Sequence, residues 1–205
     1  MRNVLRAALA CAITVAVGLS APAAAALPAD LPTGLPTVER LRQALLTAAD
    51  MPAGLTLVGS DSGETQDSDF AVWDRCADGP APKKPVRFAA VSFGTVGRGA
   101  DASVELMIGA TGEENARSIV AAVAKEIDGC PDAEPQPQLI VREPMPALGD
   151  ASLGLSIPSD ASRRIRAVLI AQGDVLAYAV TTGLGEPASV AIAKTFADRL
   201  ARHFT

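Results

Sequence analysis

The chain reads as an α+β fold: an antiparallel β-sheet with helices packed on it, made of an N-terminal helix and two hairpin-helix units. Three observations predict this class. Runs with apolar-polar alternation are joined by short turn sequences, and stretches with a 3.6-residue apolar period stand apart from them. There is also no regular β-α-β alternation of the kind that builds a parallel nucleotide-binding sheet.

The elements follow in order. "TVERLRQALLTAAD" places Val38, Leu41, Ala44, Leu45 and Ala48 on one helical stripe behind Thr37 as N-cap. Arg40 stands where a capping-box Glu would be, and Pro52 with Gly54 ends the element. "LTLVG" from Leu55 reads as a short strand. Between Ser60 and Pro85 the chain turns polar and then proline-rich, a long irregular segment of the kind that is functional or tied down. "VRFAAVSFGTV" and "ASVELMIGA" form the first hairpin, across "GRGAD". There Val104, Leu106 and Ile108 alternate with Ser103, Glu105 and Met107, as in a half-buried strand.

Thr111 to Glu114 spells the T-x-x-E capping box. The helix behind it turns Ala116, Ile119, Val120, Val123 and Ile127 inward and stops at Gly129. "QLIVRE" and "ASLGLSIP" give two further strands around "PMPALGD". "RIRAVLIAQ" and "VLAYAVTTG" pair through Gly173-Asp174, which suits a type II′ turn. Pro187 opens the last helix, whose stripe is Val190, Ala193, Phe196, Ala197 and Leu200. The two units raise the expectation of a structural pseudo-repeat, although they share little residue identity.

The first 26 residues read as a secretory signal peptide. Arg2 and Arg6 form a positive n-region, Ala7 to Leu19 an apolar run, and Ala21 to Ala26 a small-residue cleavage region. Retention as a membrane anchor is the alternative, but the run is shorter than the ~20 residues a spanning helix needs. Cys11 lies near the start of that run, whereas a lipoprotein signal would carry its cysteine at the end, so Cys11 is expected to leave with the leader. Residues 27–36 form a proline-punctuated flexible lead-in, and 37–205 one α+β domain. The expected location is therefore secreted, in the cell envelope. Two cysteines then remain, Cys76 and Cys130, and an even pair in an exported protein predicts a disulfide. Closing a loop of that length is worth roughly 4 kcal/mol. A metal pair is the rival, but two thiols without histidine make a poor zinc site.

Charge and composition remove several function classes. Losing Arg2 and Arg6 lowers Lys+Arg from 18 to 16 against 23 Asp+Glu, so the formal charge goes from −5 to −7. With no basic block, neither nucleic acid nor an anionic membrane surface is an expected partner. The aromatic residues are Phe70, Trp73, Phe88, Phe93, Tyr178, Phe196 and Phe204, only 3% of the chain, which argues against sugar or base platforms and against a glycosidase. His203 is the only histidine and falls at the expected end of the last helix, where a solvated residue is the ordinary reading. No G-x-S-x-G elbow exists; "GDASLG" lacks its spacing. Asp61, Glu64, Asp67 and Asp69 offer calcium oxygens but not in EF-hand order, so a solvated loop is expected there. "GTVGRG" joins two strands and is no phosphate loop. No enzyme, metal or cofactor is expected.

Several short features share an order. They are "LLTAADMPAGL" after the first helix, a Trp and a Cys in the next loop, a helix ending at "DGC", and "ALGDAS" before the last hairpin and helix. Over about residues 37–205 this order resembles the exported sensor-like domains of actinobacteria. That family includes the extracellular domain of some mycobacterial receptor serine/threonine kinases and stand-alone relatives. The resemblance implies a disulfide-held domain that binds a ligand through a cleft. Two bridges are usual in the kinase-linked members, and this chain can form one. With no kinase domain and no second membrane segment in the sequence, it implies a soluble envelope binding or accessory protein. The expected ligand is small or lipidic, with an anionic group as one option. The alternative is an interaction protein that binds a protein partner without a small-molecule pocket.

The last hairpin supplies the candidate ligand residues. If Gly173-Asp174 is the turn, Ile165, Ala167, Leu169, Leu176, Tyr178 and Val180 share the core face. Arg164, Arg166, Val168, Ile170, Val175, Ala177 and Ala179 share the other, which is too apolar for plain exposure. Two explanations compete. One is a strand covered on both sides with arginines snorkelling at its rim. The other is an apolar groove with a cationic end, lined by Arg164, Arg166, Val168 and Ile170, with Trp73 as an aromatic wall.

Overall fold

The computed structural model describes residues 34–64, 87–95, 102–129, 140–158 and 164–205. The leader, most of the lead-in, Asp67, Asp69, Trp73, Cys76 and Cys130 lie outside these residues, and with them the expectations of a signal peptide, a disulfide and an aromatic wall.

Seven strands form one antiparallel sheet in the order β1-β2-β3-β7-β6-β5-β4. They are β1 (Leu55–Glu64), β2 (Arg87–Thr95), β3 (Ser103–Ala110), β4 (Val141–Glu143), β5 (Ala151–Pro158), β6 (Arg164–Gln172) and β7 (Val175–Thr182). Among the described residues three helices pack on it: α1 (Val38–Ala44), α2 (Glu113–Ile127) and α3 (Glu186–His203), with a 3-10 turn at Ala48–Asp50. This is the α+β class expected from the sequence. Among the described residues no helix is long and apolar enough to cross a membrane.

The expected hairpin pairing holds. Leu169 lies opposite Tyr178 and Ala171 opposite Leu176 across a turn in which Gly173 has φ 52°. Asp174 keeps a negative φ, the combination a type II′ turn needs. Several local expectations change. The first helix stops at Ala44, capped by Thr37 Oγ1, which accepts from Arg40 N at 3.3 Å. Ala48 belongs instead to the 3-10 turn, where the Thr47 N–H and hydroxyl both donate to Asp50 Oδ2 at 2.8 Å. β1 runs ten residues, to Glu64, because pairing with β2 carries the polar "SDSGE" on as an edge strand. Asp61 and Glu64 are three apart on it and so face opposite sides, which prevents them from holding one ion.

The Thr111–Glu114 capping box does not form. Gly112 is the N-cap of α2, and the β6–β7 turn caps the helix from outside: Asp174 O accepts from Thr111 N and Gly112 N at 3.0 Å, and its Oδ1 accepts from Glu113 N at 3.2 Å. The other end of α2 is held by Arg142 of β4, which donates to Ala124 O at 2.9 Å and pairs with Asp128 at 2.5 Å. A cation on the last carbonyls also suits the helix dipole.

The two hairpin-helix units send their helices to opposite faces of the sheet. On one face, α1 covers β1–β3 and α3 covers β6 and β7. Leu41, Phe93, Leu106, Ile108, Ile170, Phe196 and Leu200 are buried there as the larger core. On the other face α2 covers β5, β6 and β7. Ile119, Val120, Leu153, Leu155, Leu169 and Leu176 form the second, smaller core beneath it. The pseudo-repeat is thus one of element order, not of packing.

Candidate functional site

The α3 side is closed and cross-tied. Arg199 of α3 donates to both oxygens of Asp50, at 2.9 and 3.0 Å, and to Leu45 O at 3.2 Å. Arg40 of α1 donates to the carbonyl of His203 and lies 5.4 Å from the Phe204 ring centroid. Burial alone would raise the Asp50 carboxyl. The Thr47 donors and the Arg199 guanidinium outweigh it and hold that carboxyl below the ordinary aspartate value.

The candidate hairpin residues lie on this closed side. Val168 is 4% exposed and Ile170 0%, both inside the core under α3, so neither presents a surface to a ligand. Arg166 is largely buried at the rim, donating to Glu143 Oε2 at 3.1 Å and to Leu184 O at 3.1 Å. Arg164 is exposed, 3.7 Å from the same Glu143. The structure therefore groups the arginines around one carboxylate, and the apolar residues that were to complete their groove belong to a filled core. The packing has the form of the covered strand with arginines at its rim. Trp73 is outside the described residues.

The other face of β1–β3 is different. Among the described residues no helix packs extensively over it; the main contacts of α2 end at β7. Along β3 the two faces separate from Ser103 to Ile108: Val104, Leu106 and Ile108 are buried on the closed side, while Ser103, Glu105 and Met107 are half-buried on the open one, and only at Gly109, beside Leu176, does the open side become buried. Phe88, Ala90, Ser92 and Gly94 line the open side of β2, and Thr56, Gly59, Asp61 and Gly63 that of β1. Met107 faces Tyr178 across the β3–β7 pair, and the Tyr178 hydroxyl is 2.9 Å from Met107 Sδ.

The floor of this face is low. Gly59, Gly63 and Gly94 sit within strands where glycine is normally unfavourable, and none has a positive φ. A Cβ at these positions would meet described atoms no closer than 3.5 Å, which is ordinary contact. Neither backbone nor described neighbours require glycine there. By contrast, a Cβ on Gly149 would come within 2.5 Å of Ala171 O, and one on Gly173 would strike the carbonyl of Phe204.

Glu105 stands over this floor between Ser92 on β2 and Val180 on β7. No hydrogen bond or ion pair engages its carboxyl among the described residues, and burial raises it above the ordinary glutamate value. A carboxyl held in partial burial without compensation, beside a trough of small residues, meets the physical description of a binding group. Sequence alternation places Glu105 away from the core. The missing signal was that β3 pairs with β7 near the middle of the sheet, where even the outward face is flanked. Among the described residues no group of His, Cys, Asp or Glu is arranged to hold a metal.

No protein-family model matches the chain, and no curated protein sequence matches it. Among solved structures it is similar to the extracellular domain of PknH from Mycobacterium tuberculosis. The TM-score is 0.58 at 10% sequence identity, covering 82% of this chain and 98% of that one. At that identity the likeness is one of fold.

Proposed function

We propose that residues 37–205 form an exported, non-catalytic binding domain of the sensor type, with its ligand site on the open face of β1–β3. The carrying observation is Glu105, a partly desolvated carboxyl with no partner among the described residues, above a floor kept low by three glycines that the described fold does not need. A leader-like N-terminus, a cysteine pair and a fold shared with an extracellular domain support the exported setting. The closed-side arginines are occupied by Glu143 and Leu184, so the site does not depend on an anionic ligand.

Native mass spectrometry after gentle purification tests this reading. The expected result is a co-purified small molecule that Ala90→Trp, which fills the trough, displaces. A clean apo mass, or a bound mass unaffected by Ala90→Trp, contradicts it. A non-reducing peptide map tests the exported setting: a Cys76–Cys130 linked peptide is expected, and two free thiols count against it.

A specific observation also favours a protein partner. Leu57 and Val58 are 56% and 61% exposed on β1, an edge strand. Exposed apolar residues on an unpaired edge are a surface another chain can use. The β-bulge between Leu57 and Gly59 twists that edge and weakens it as a template. Cross-linking in a cell-envelope extract with and without Leu57→Lys separates the two readings.

A further inference from the structure

The open face carries a charge pattern that restricts its ligand. Around Glu105 the cross-strand neighbours are Ser92 and Val180, its neighbours along that face of β3 are Ser103 and Met107, and Ala90, Gly94, Tyr178 and Thr182 lie diagonally. None is basic. The nearest charged residue on β1 of this face is Asp61, a second carboxylate. Arg142 shares the face at its far edge, on β4 beyond α2, and is engaged by Asp128 and the Ala124 carbonyl. Arg87, Arg166 and Arg199 pair with Glu64, Glu143 and Asp50 on the closed side, and Arg117 pairs with Glu113 along α2 itself. Lys125 is exposed on α2, the helix over β5–β7, so the described cations lie away from β1–β3 and this trough carries carboxylates alone.

We propose that the ligand of the open face carries a protonated amine or a similar organic cation that pairs with Glu105, on an apolar body lying over Met107, Tyr178 and Val180. This rests on the reading of that face as the binding site. A carboxylate removed from water is costly until a donor reaches it, and nothing among the described residues does. A ligand cation supplies both the opposite charge and the hydrogen bond, in surroundings where such pairs are stronger than in water. An anionic head would meet Glu105 and Asp61 together and be repelled. The glycine and serine floor lets a chain lie close to the backbone, and the half-buried Met107 and Tyr178 give it apolar contact. A chain-bearing lipid amine and a free amine with an apolar part share this chemistry, a cation on an apolar body.

Four probes on the purified protein test this by calorimetric titration: octylammonium, octanol, octanoate and methylammonium. Octylammonium is expected to bind roughly tenfold tighter than octanol, the worth of one charge-assisted hydrogen bond. Octanoate should bind most weakly. Glu105→Gln should bring octylammonium to the affinity of octanol. Octanoate binding as well as octylammonium, or a preference that survives Glu105→Gln, overturns the cation proposal and leaves the site intact. Methylammonium binding as tightly as octylammonium removes the apolar body from it. Failure of every probe, or binding that Ala90→Trp does not reduce, overturns the site itself.

Discussion

Asp50 and Glu105 are carboxylates drawn partly out of water in the same fold, and their surroundings treat the charge in opposite ways. Asp50 receives Thr47 and Arg199, fastens the 3-10 turn to α3, and is held below the ordinary aspartate value. Glu105 receives nothing from the described residues and is pushed above the ordinary glutamate value by burial. The first is the economy of a structural ion pair; the second costs stability where it stands. A group that burdens the free fold makes sense when something outside the chain completes it. The glycines divide the same way. Gly149 and Gly173 are required by positive φ and by backbone closer than a Cβ can approach, whereas a Cβ at Gly59, Gly63 or Gly94 would make only ordinary contact with Ser92, Phe88 or Val58.

The sharpest way to break this contrast is to truncate neighbouring residues of β3. Leu106 is 1% exposed and faces α1, so Leu106→Ala should cost about 2–5 kcal/mol in chemical unfolding. Met107, one residue on and half-buried, should cost well under half of that. Equal losses would mean that the open face is packed as a core.

Next in size is Asp50→Asn, expected to cost about 2 kcal/mol at neutral pH through the loss of charged hydrogen bonds. Because the folded carboxyl is depressed, its contribution is present above the unfolded aspartate value and fades as pH falls through the folded one. Unfolding of wild type and variant should therefore converge in acid. Asp174→Ala removes the external cap of α2 and should cost about 1 kcal/mol. An unchanged midpoint would show that the backbone bonds to Asp174 O suffice alone.

The smallest effects carry the opposite sign. Gly94→Ala should stabilise the free protein by about 0.4–1 kcal/mol, since alanine fits and the unfolded chain loses freedom, while weakening ligand binding. Glu105→Gln should also stabilise it slightly at neutral pH. A raised carboxyl favours the fold when protonated and loses that advantage as pH rises from the unfolded value through the folded one. The gain from Gln should thus vanish in acid, the reverse of the trend for the Asp50 lock. A destabilised Glu105→Gln at neutral pH would place Glu105 with Asp50 as a structural residue.

Much of the fold was legible because its signals are local. The alternation in "SVELMI", the Gly173-Asp174 turn and the apolar stripe of α3 specify β3, the last hairpin and that helix without reference to anything distant. The helix stripe shifts only in detail: Ser189 and Ile192 are buried, and Val190 is half-buried. What was not legible depends on pairing. "SDSGE" becomes strand only because β2 lies beside it, and the T-x-x-E of α2 loses its box because Asp174, far along the chain, reaches its N-terminus first. The hairpin face with Val168 and Ile170 was recognised as too apolar for solvent, but α3 is what covers it. Glu105 was legible as an outward residue and became a candidate only when the sheet order set it near the centre of a face that α2 leaves half open.

The claim that Glu105 waits for a ligand group can be read at its own carboxyl. Carbon-detected NMR titration of the side-chain carboxyl should find Glu105 titrating above the ordinary glutamate range in the free protein, and shifting down when octylammonium binds. A Glu105 that titrates at the ordinary value, and does so unchanged with the amine bound, would contradict the claim.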